Sequence, residues 1–259
     1  MSETHIIAVT NQKGGVGKTT SALNICASLG ALKQPTLLID FDPQGNASHG
    51  CDLPEAVREN SSYELIMQET PADELIQQTS DLFDIITTKQ MLTAAEIQLA
   101  QKAKREFSLK TALNSLTTPY RYIIIDCPPS LNLLTVNALV AASSVIIPVQ
   151  CEYYALEGLT RLMRTIQQLK NTVNPSLEIE GILRTMYDSR NRLSQDVSDQ
   201  LTHYFGELLY NTIIPRNVKL AEAPSHRKVA LSYDPDSSGA ISYLTLASEI
   251  LRKKETIYE

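Results

Sequence analysis

The sequence predicts an α/β fold: one mostly parallel, twisted sheet with helices on both faces. Three observations predict it. Apolar, β-branched runs alternate with helical patterns along the chain, the mark of repeated βαβ units. Several of those runs are apolar throughout, as in strands covered on both faces. A glycine-rich stretch, "KGGVGKTT" (Lys13–Thr20), follows the first run and opens the first helical pattern.

The first strand is expected at "HIIAVT", His5–Thr10. A helix follows from Lys18 to about Leu29, with Leu23, Ile25, Ala27 and Leu29 among its apolar positions. "TLLIDFD" (Thr36–Asp42), "LFDIITT" (Leu82–Thr88), "YIIID" (Tyr122–Asp126), "SVIIPVQ" (Ser144–Gln150), "IEGILRT" (Ile179–Thr185) and "LLYNTIIP" (Leu208–Pro215) supply the further strands. Helical patterns lie between and after them at Thr93–Leu116, Asn132–Ala142, Ala155–Leu169, Leu193–Phe205 and Gly239–Lys254. No repeat, low-complexity tract or Gly/Ser linker divides the chain, so residues 1–259 are expected to form a single domain. The first strand begins within a few residues of Met1, which leaves no room for an N-terminal helix-turn-helix module.

Composition is that of an ordinary globular protein: 43% hydrophobic and 20% charged over 259 residues, without tryptophan. No window approaches the roughly 18 apolar residues of a spanning helix, and the N-terminus lacks a signal-peptide core, so a cytoplasmic protein is expected. Cys26, Cys51, Cys127 and Cys151 are far apart and read as buried free thiols. The net charge of −6 argues against a surface coated in positive potential. Positive charge is nevertheless concentrated between Arg184 and Lys228, where seven Lys/Arg face five Asp/Glu.

A glycine-rich loop between a strand and a helix presents backbone N–H groups to an anion at the positive end of the helix dipole. In "NQKGGVGKTT", Gly14, Gly15 and Gly17 let the backbone curl around phosphates, with Val16 between them. Lys18 can reach the terminal phosphates, and the Thr19 hydroxyl can ligate Mg²⁺. The usual P-loop spacing would place a glycine at position 12; this chain has Gln12 there and an extra lysine, Lys13, beside it. Asp126 closes the apolar run of "RYIIIDCPPS" in the manner of a Walker B carboxylate, and Asp40 and Asp42 close the neighbouring one. An aspartate after a strand is by itself often a cap or turn former. Three of them beside a phosphate loop suit a magnesium nucleotide.

"KGGVGKTT" resembles the deviant Walker A motif of the ParA/MinD class of P-loop ATPases (SIMIBI-type). "DFDPQGNAS", "IIIDCPPSLNLLTVNAL", "PVQCEYYALEGL" and "IIPRNVKLAEAPSH" resemble the corresponding blocks of the ParA/Soj chromosome- and plasmid-partition proteins, from about residue 5 to residue 253. The resemblance implies an ATPase using ATP and Mg²⁺. Lys13 is then the signature lysine that contacts the partner subunit's nucleotide in an ATP-dependent homodimer, and Lys18 the contact within the subunit. Thr19 would bind Mg²⁺, Thr20 would lie near the α-phosphate, and Asp42 would position the lytic water. Asp40 and Asp126 would serve the magnesium shell, while Pro215 and Asn217 would contact adenine.

The resemblance also implies nonspecific binding of double-stranded DNA, nucleoid association in the ATP state, and a ParB/Spo0J-like partner that stimulates hydrolysis. Candidate phosphate-backbone contacts are Arg190, Arg192, Arg216, Lys219, Arg227 and Lys228, with Arg252, Lys253 and Lys254 ending the last helix. A solvated basic face is the plainer reading of the same residues. Lys219 stands where relatives carry arginine, and Arg227 where many carry glycine. Three rivals share the fold. A MinD-like membrane-positioning ATPase needs a C-terminal amphipathic helix, whereas Leu244, Ala247 and Leu251 here are expected to pack on the sheet. A metal-cluster ATPase needs further cysteines beyond Cys127, and a metabolic ligase needs its own substrate pocket.

Overall fold

The computed structural model describes residues 4–53 and 61–255. Strands β1 (His5–Val9), β2 (Thr36–Asp40), β3 (Gln77–Gln78), β4 (Asp84–Ile86), β5 (Tyr122–Asp126), β6 (Ser144–Gln150) and β7 (Glu178–Thr185) form one sheet in the order β3-β4-β2-β5-β1-β6-β7. All pairings are parallel except β3 with β4. The continuous apolar runs have a simple cause. Successive side chains point to opposite faces, so Ala8, Leu37, Ile39, Ile123 and Ile125 enter one core and Ile7, Val9, Leu38 and Ile124 the other.

Helices α1 (Lys18–Ala31), α10 (Ala230–Tyr233) and α11 (Ser238–Glu255) cover the second core. Helices α3 (Ser62–Met67), α4 (Leu92–Leu99), α5 (Ser108–Asn114), α6 (Leu133–Ala141), α7 (Ala155–Thr172) and α8 (Arg192–Phe205) contribute buried residues to the first. Two short helices, α2 (Asn46–His49) and α9 (Val218–Glu222), sit on loops. Register sets Asp126 opposite both Val9 and Asp40, so three carboxyl strand ends finish at one level and their loops converge there.

The differences from expectation have local causes. Leu208–Pro215 forms no strand beyond isolated bridges at Leu209 and Pro215. The Asn211 and Thr212 amides donate to the Glu249 carboxylate at 2.8 and 3.0 Å, which takes them out of any ladder. Thr93–Leu116 is two helices, broken where Lys104 turns left-handed (φ 54°) and the Arg105 guanidinium caps the Ala100 carbonyl at 2.6 Å. Buried Asn137 bridges the break, donating to the Arg105 carbonyl and accepting from the Leu109 amide. On α11 the buried face is Tyr243, Leu246, Ala247 and Ile250 against α1, while Leu244 and Leu251 are only partly buried. The short helices and β3 carry too few residues to show a period.

Candidate nucleotide site

The loop after β1 is fastened to the sheet before it curls. The Thr10 amide donates to the Ile146 carbonyl, and the buried Asn11 side chain donates to the Pro148 carbonyl at 2.7 Å. The Asn11 Oδ1 then accepts the Lys13 amide at 3.0 Å. Gly15 (φ 72°) and Gly17 (φ 85°) take the left-handed conformation that side chains resist, and Gly17 caps the N-terminus of α1. Gly14 is open, with nothing near its missing side chain. Val16 is buried and anchors the loop's crest, where its carbonyl accepts the Thr185 hydroxyl at 2.8 Å.

Two cavities share the Gly17 wall. The first, about 580 Å³, is lined by Gly14, Gly15, Lys18, Thr19, Thr20 and Asp42, among others. The second, about 360 Å³ and mostly apolar, is lined by Pro215, Arg216, Asn217, Leu220 and Tyr243. Met186 borders both and has its terminal methyl about 3.6 Å from where a Gly17 side chain would begin. It holds this place at φ 50°, a left-handed backbone unusual for methionine. A polar cradle on one side and an apolar slot on the other match the two ends of a nucleotide.

Lys18 is buried, and its ammonium donates to the Lys13 carbonyl at 3.1 Å. Burial lowers its pKa, while the negative charges of Asp126 and Asp42 oppose that fall. Asp126 is fully buried, and neither carboxylate oxygen has a hydrogen-bond partner. Its pKa is raised well above the usual range by burial and then by Asp40; the Thr19 hydroxyl lies close enough to temper the rise without completing a well-formed hydrogen bond. Two buried carboxylates beside a threonine hydroxyl and an open phosphate cradle fit a hydrated Mg²⁺. Among the described residues no three His, Cys, Asp or Glu side chains group as a metal site. Phosphate and water oxygens would therefore complete the shell.

Asp40 is placed differently from Asp126. Its Oδ2 accepts the Ser48 amide at 2.7 Å and the Ser48 hydroxyl at 2.6 Å, and its Oδ1 accepts the Asp42 amide. Burial raises its pKa to about 6 against those hydrogen bonds. Asp40 thus braces α2 and the turn carrying Asp42. Asp42 lines the phosphate cavity, and its Oδ1 accepts the Gln44 amide at 3.0 Å.

Pro215 and Asn217 both line the apolar slot, but the Asn217 amide is largely engaged. Its oxygen caps α9 through the Lys219 and Leu220 amides, and its Nδ2 donates to the Ser238 hydroxyl at 2.7 Å. Arg190, Arg192, Arg216, Arg227 and Lys228 are exposed. The bridge between Tyr187 and Pro215 brings the Arg190–Arg192 loop beside Arg216. Arg190 forms an ion pair with Asp188 at 3.0 Å, and Lys219 with Glu222 at 3.2 Å. Lys253 donates to the Glu180 carbonyl and lies 4.3 Å from the Tyr210 ring centre, a structural post. The Lys254 side chain and residues 256–259 lie outside the described residues.

The sequence reading missed the Thr185–Val16 tie, Met186, and Glu152, whose carboxylate takes the Lys13 ammonium. A threonine closing a strand and a methionine after it carry no motif, so only three-dimensional contact exposes them. The four cysteines are buried and unpaired.

A mostly parallel sheet whose first loop is a glycine cradle holding a buried lysine, with an aspartate ending the adjacent strand, defines a P-loop nucleoside triphosphatase. A family model described as an AAA domain matches residues 4–179. The chain is 46% identical to the chromosome partitioning protein ParA of Caulobacter vibrioides (96% of this chain, 94% of the relative). It is 48% identical to the sporulation initiation inhibitor protein Soj of Bacillus subtilis (95% and 97%). A solved structure of cobyrinic acid a,c-diamide synthase from Mycobacterium smegmatis, with bound ADP and magnesium, is 35% identical, superimposes at a TM-score of 0.85 and is covered to 96%, with 98% of this chain. The chain belongs to the ParA/Soj family of chromosome-partitioning ATPases.

Proposed function

We propose that this chain hydrolyses ATP with Mg²⁺, and that ATP joins two copies face to face in a dimer that binds duplex DNA without sequence preference. A ParB-like partner would stimulate hydrolysis and so release the DNA, which makes nucleoid association a property of the ATP state. One observation carries the reading: the loop holds two lysines in opposite settings. Lys18 is buried in its own cleft, whereas the Lys13 side chain is 43% exposed at the rim. A second cation inside the cradle would be redundant beside Lys18 and Mg²⁺. A cation at the rim offsets the charge of a second triphosphate brought up to that face.

The residues divide the work. Backbone amides from Gly14 to Thr20 hold the phosphates, Lys18 neutralises their charge, and Thr20 borders the α-phosphate. Pro215, Met186 and Asn217 flank adenine, with the Asn217 amide supplying at most one unengaged N–H. Asp126 and Thr19 would hold Mg²⁺, which supplies charge neutralisation on the phosphate oxygens. Asp42, kept in place by its Gln44 contact and by the Asp40 brace, orients the attacking water. Rate enhancement comes from positioning and charge, with no covalent chemistry from the protein. The exposed Arg190, Arg192, Arg216, Arg227 and Lys228, with the half-buried Lys219, supply DNA phosphate contacts, and a dimer doubles them.

The ParA/Soj reading is favoured over the MinD-like alternative, because the apolar face of α11 is packed against α1. No described helix is long and apolar enough to cross a membrane. The deciding experiment is size-exclusion chromatography with ATP on Asp42→Ala, with and without Lys13→Ala. A trapped dimer is expected for the first variant and a monomer for the double variant. Identical elution of the two would refute the role of Lys13. Retention on nonspecific duplex DNA with ATP, with ADP and without nucleotide tests the switch; equal retention in all three states would refute it.

A further inference from the structure

The ammonium that the dimer reading sends to a second subunit is held at home in the single chain, where Lys13 pairs with Glu152. Both ends of this contact have fixed backbones. The Lys13 amide is bound by Asn11, itself tied to Pro148. Glu152 lies just beyond β6, where its amide donates to the Gln150 carbonyl at 2.8 Å and its carbonyl accepts the Ala155 amide at 2.9 Å as α7 begins. The heads, in contrast, are open to water: the side chains are 43% and 45% exposed. A rigidly mounted but exposed ion pair is easily exchanged for a stronger partner.

The two lysines are also linked. Lys18 reaches back from the cleft to the Lys13 carbonyl, so the Lys13 backbone borders the cradle while its charge is drawn out of it. From this arrangement we infer that Glu152 is the positioning residue for Lys13: in the single chain it holds the ammonium at the rim, and this pair must be given up before the ammonium can reach a phosphate brought up by a second copy. This rests on the dimer reading above and gives it a threshold. A carboxylate competes with the incoming phosphates, so a weakly charged nucleotide displaces it poorly and a triphosphate displaces it well.

Exposed pairs of this kind are worth enough to shift an equilibrium by about threefold. A two-fold interface breaks two of them, so removal of the carboxylate should tighten the dimer about tenfold. The test compares full-length wild type and Glu152→Gln by sedimentation velocity with Mg²⁺ and a nonhydrolysable ATP analogue. Acylation of Lys13 by an amine reagent, followed by mass spectrometry, is measured on both proteins without nucleotide. Expected are a dimer dissociation constant about tenfold lower for Glu152→Gln and Lys13 acylation about threefold faster. An unchanged or weaker dimer, or unchanged acylation, overturns the role of Glu152. Wild type that stays monomeric at saturating analogue overturns the dimer reading instead, and faster acylation of the variant would then still show that Glu152 restrains Lys13.

Discussion

The Thr185 hydroxyl donates to the Val16 carbonyl at 2.8 Å, joining the end of β7 to the crest of the phosphate loop. Both residues are buried, so the bond replaces water that cannot reach the loop. Thr185→Val keeps the shape and leaves the Val16 carbonyl without its partner, a loss of about 1–2 kcal/mol. The expected result is a five- to tenfold rise in the ATP dissociation constant, read by calorimetry, with retained far-UV circular dichroism. Unchanged affinity would show that this tie contributes nothing to nucleotide binding.

Tyr153 and Tyr154 are 74% and 69% exposed and meet edge to face at 5.0 Å, directly after Glu152. Aromatic residues beside an exchangeable ion pair are the usual anchors of an interface core. Replacing both with serine should weaken the ATP-dependent dimer at least tenfold while leaving monomer melting within a few degrees. A dimer of unaltered strength would place the contact elsewhere.

Arg227 has φ 54°, a left-handed backbone that favours glycine. Arg227→Gly should therefore stabilise the fold by roughly 0.5–1 kcal/mol. The same change removes one cation and should flatten the salt dependence of DNA retention by about one phosphate contact per protomer. Thermal melting and a salt titration read the two effects separately. Loss of stability would mean that the arginine makes compensating contacts.

Asp73 accepts the Thr118 hydroxyl at 2.6 Å and the Thr117 and Thr118 amides at 2.9 and 2.8 Å. Those bonds, the Thr118 hydroxyl first, lower its pKa to about 2. A folded-state pKa below the unfolded one contributes stability above the unfolded value of about 4, lost as pH falls from there towards about 2. Asp73→Asn should thus reduce stability at pH 7, by about 1 kcal/mol at this largely solvated site. The two proteins should converge near pH 2, as followed by denaturant midpoints across pH.

The strand–loop–helix core was legible because both its signals are local. The β5 run Tyr122–Asp126 and the glycines at 14, 15 and 17 each carry period, composition and position at once. Where the outcome depended on a distant partner, the sequence misled. "LLYNTIIP" has the composition of a strand, yet Glu249 lies 37 residues beyond Thr212 and captures its amide. Asp40 and Asp126 end adjacent strands in the same fashion, and the contacts with Ser48 and the Asp42 amide separate a brace from a carboxylate without partners. Lys13 was identifiable as special from its motif; its counter-ion was not, because nothing in "QCEYYA" marks which glutamate faces a loop 139 residues away.

Met186 stands in the party wall of two chambers, one polar and one oily, with its backbone bent into a form few methionines adopt. Tuning the molecule for another base by reshaping that partition must also disturb how tightly the triphosphate tail is gripped.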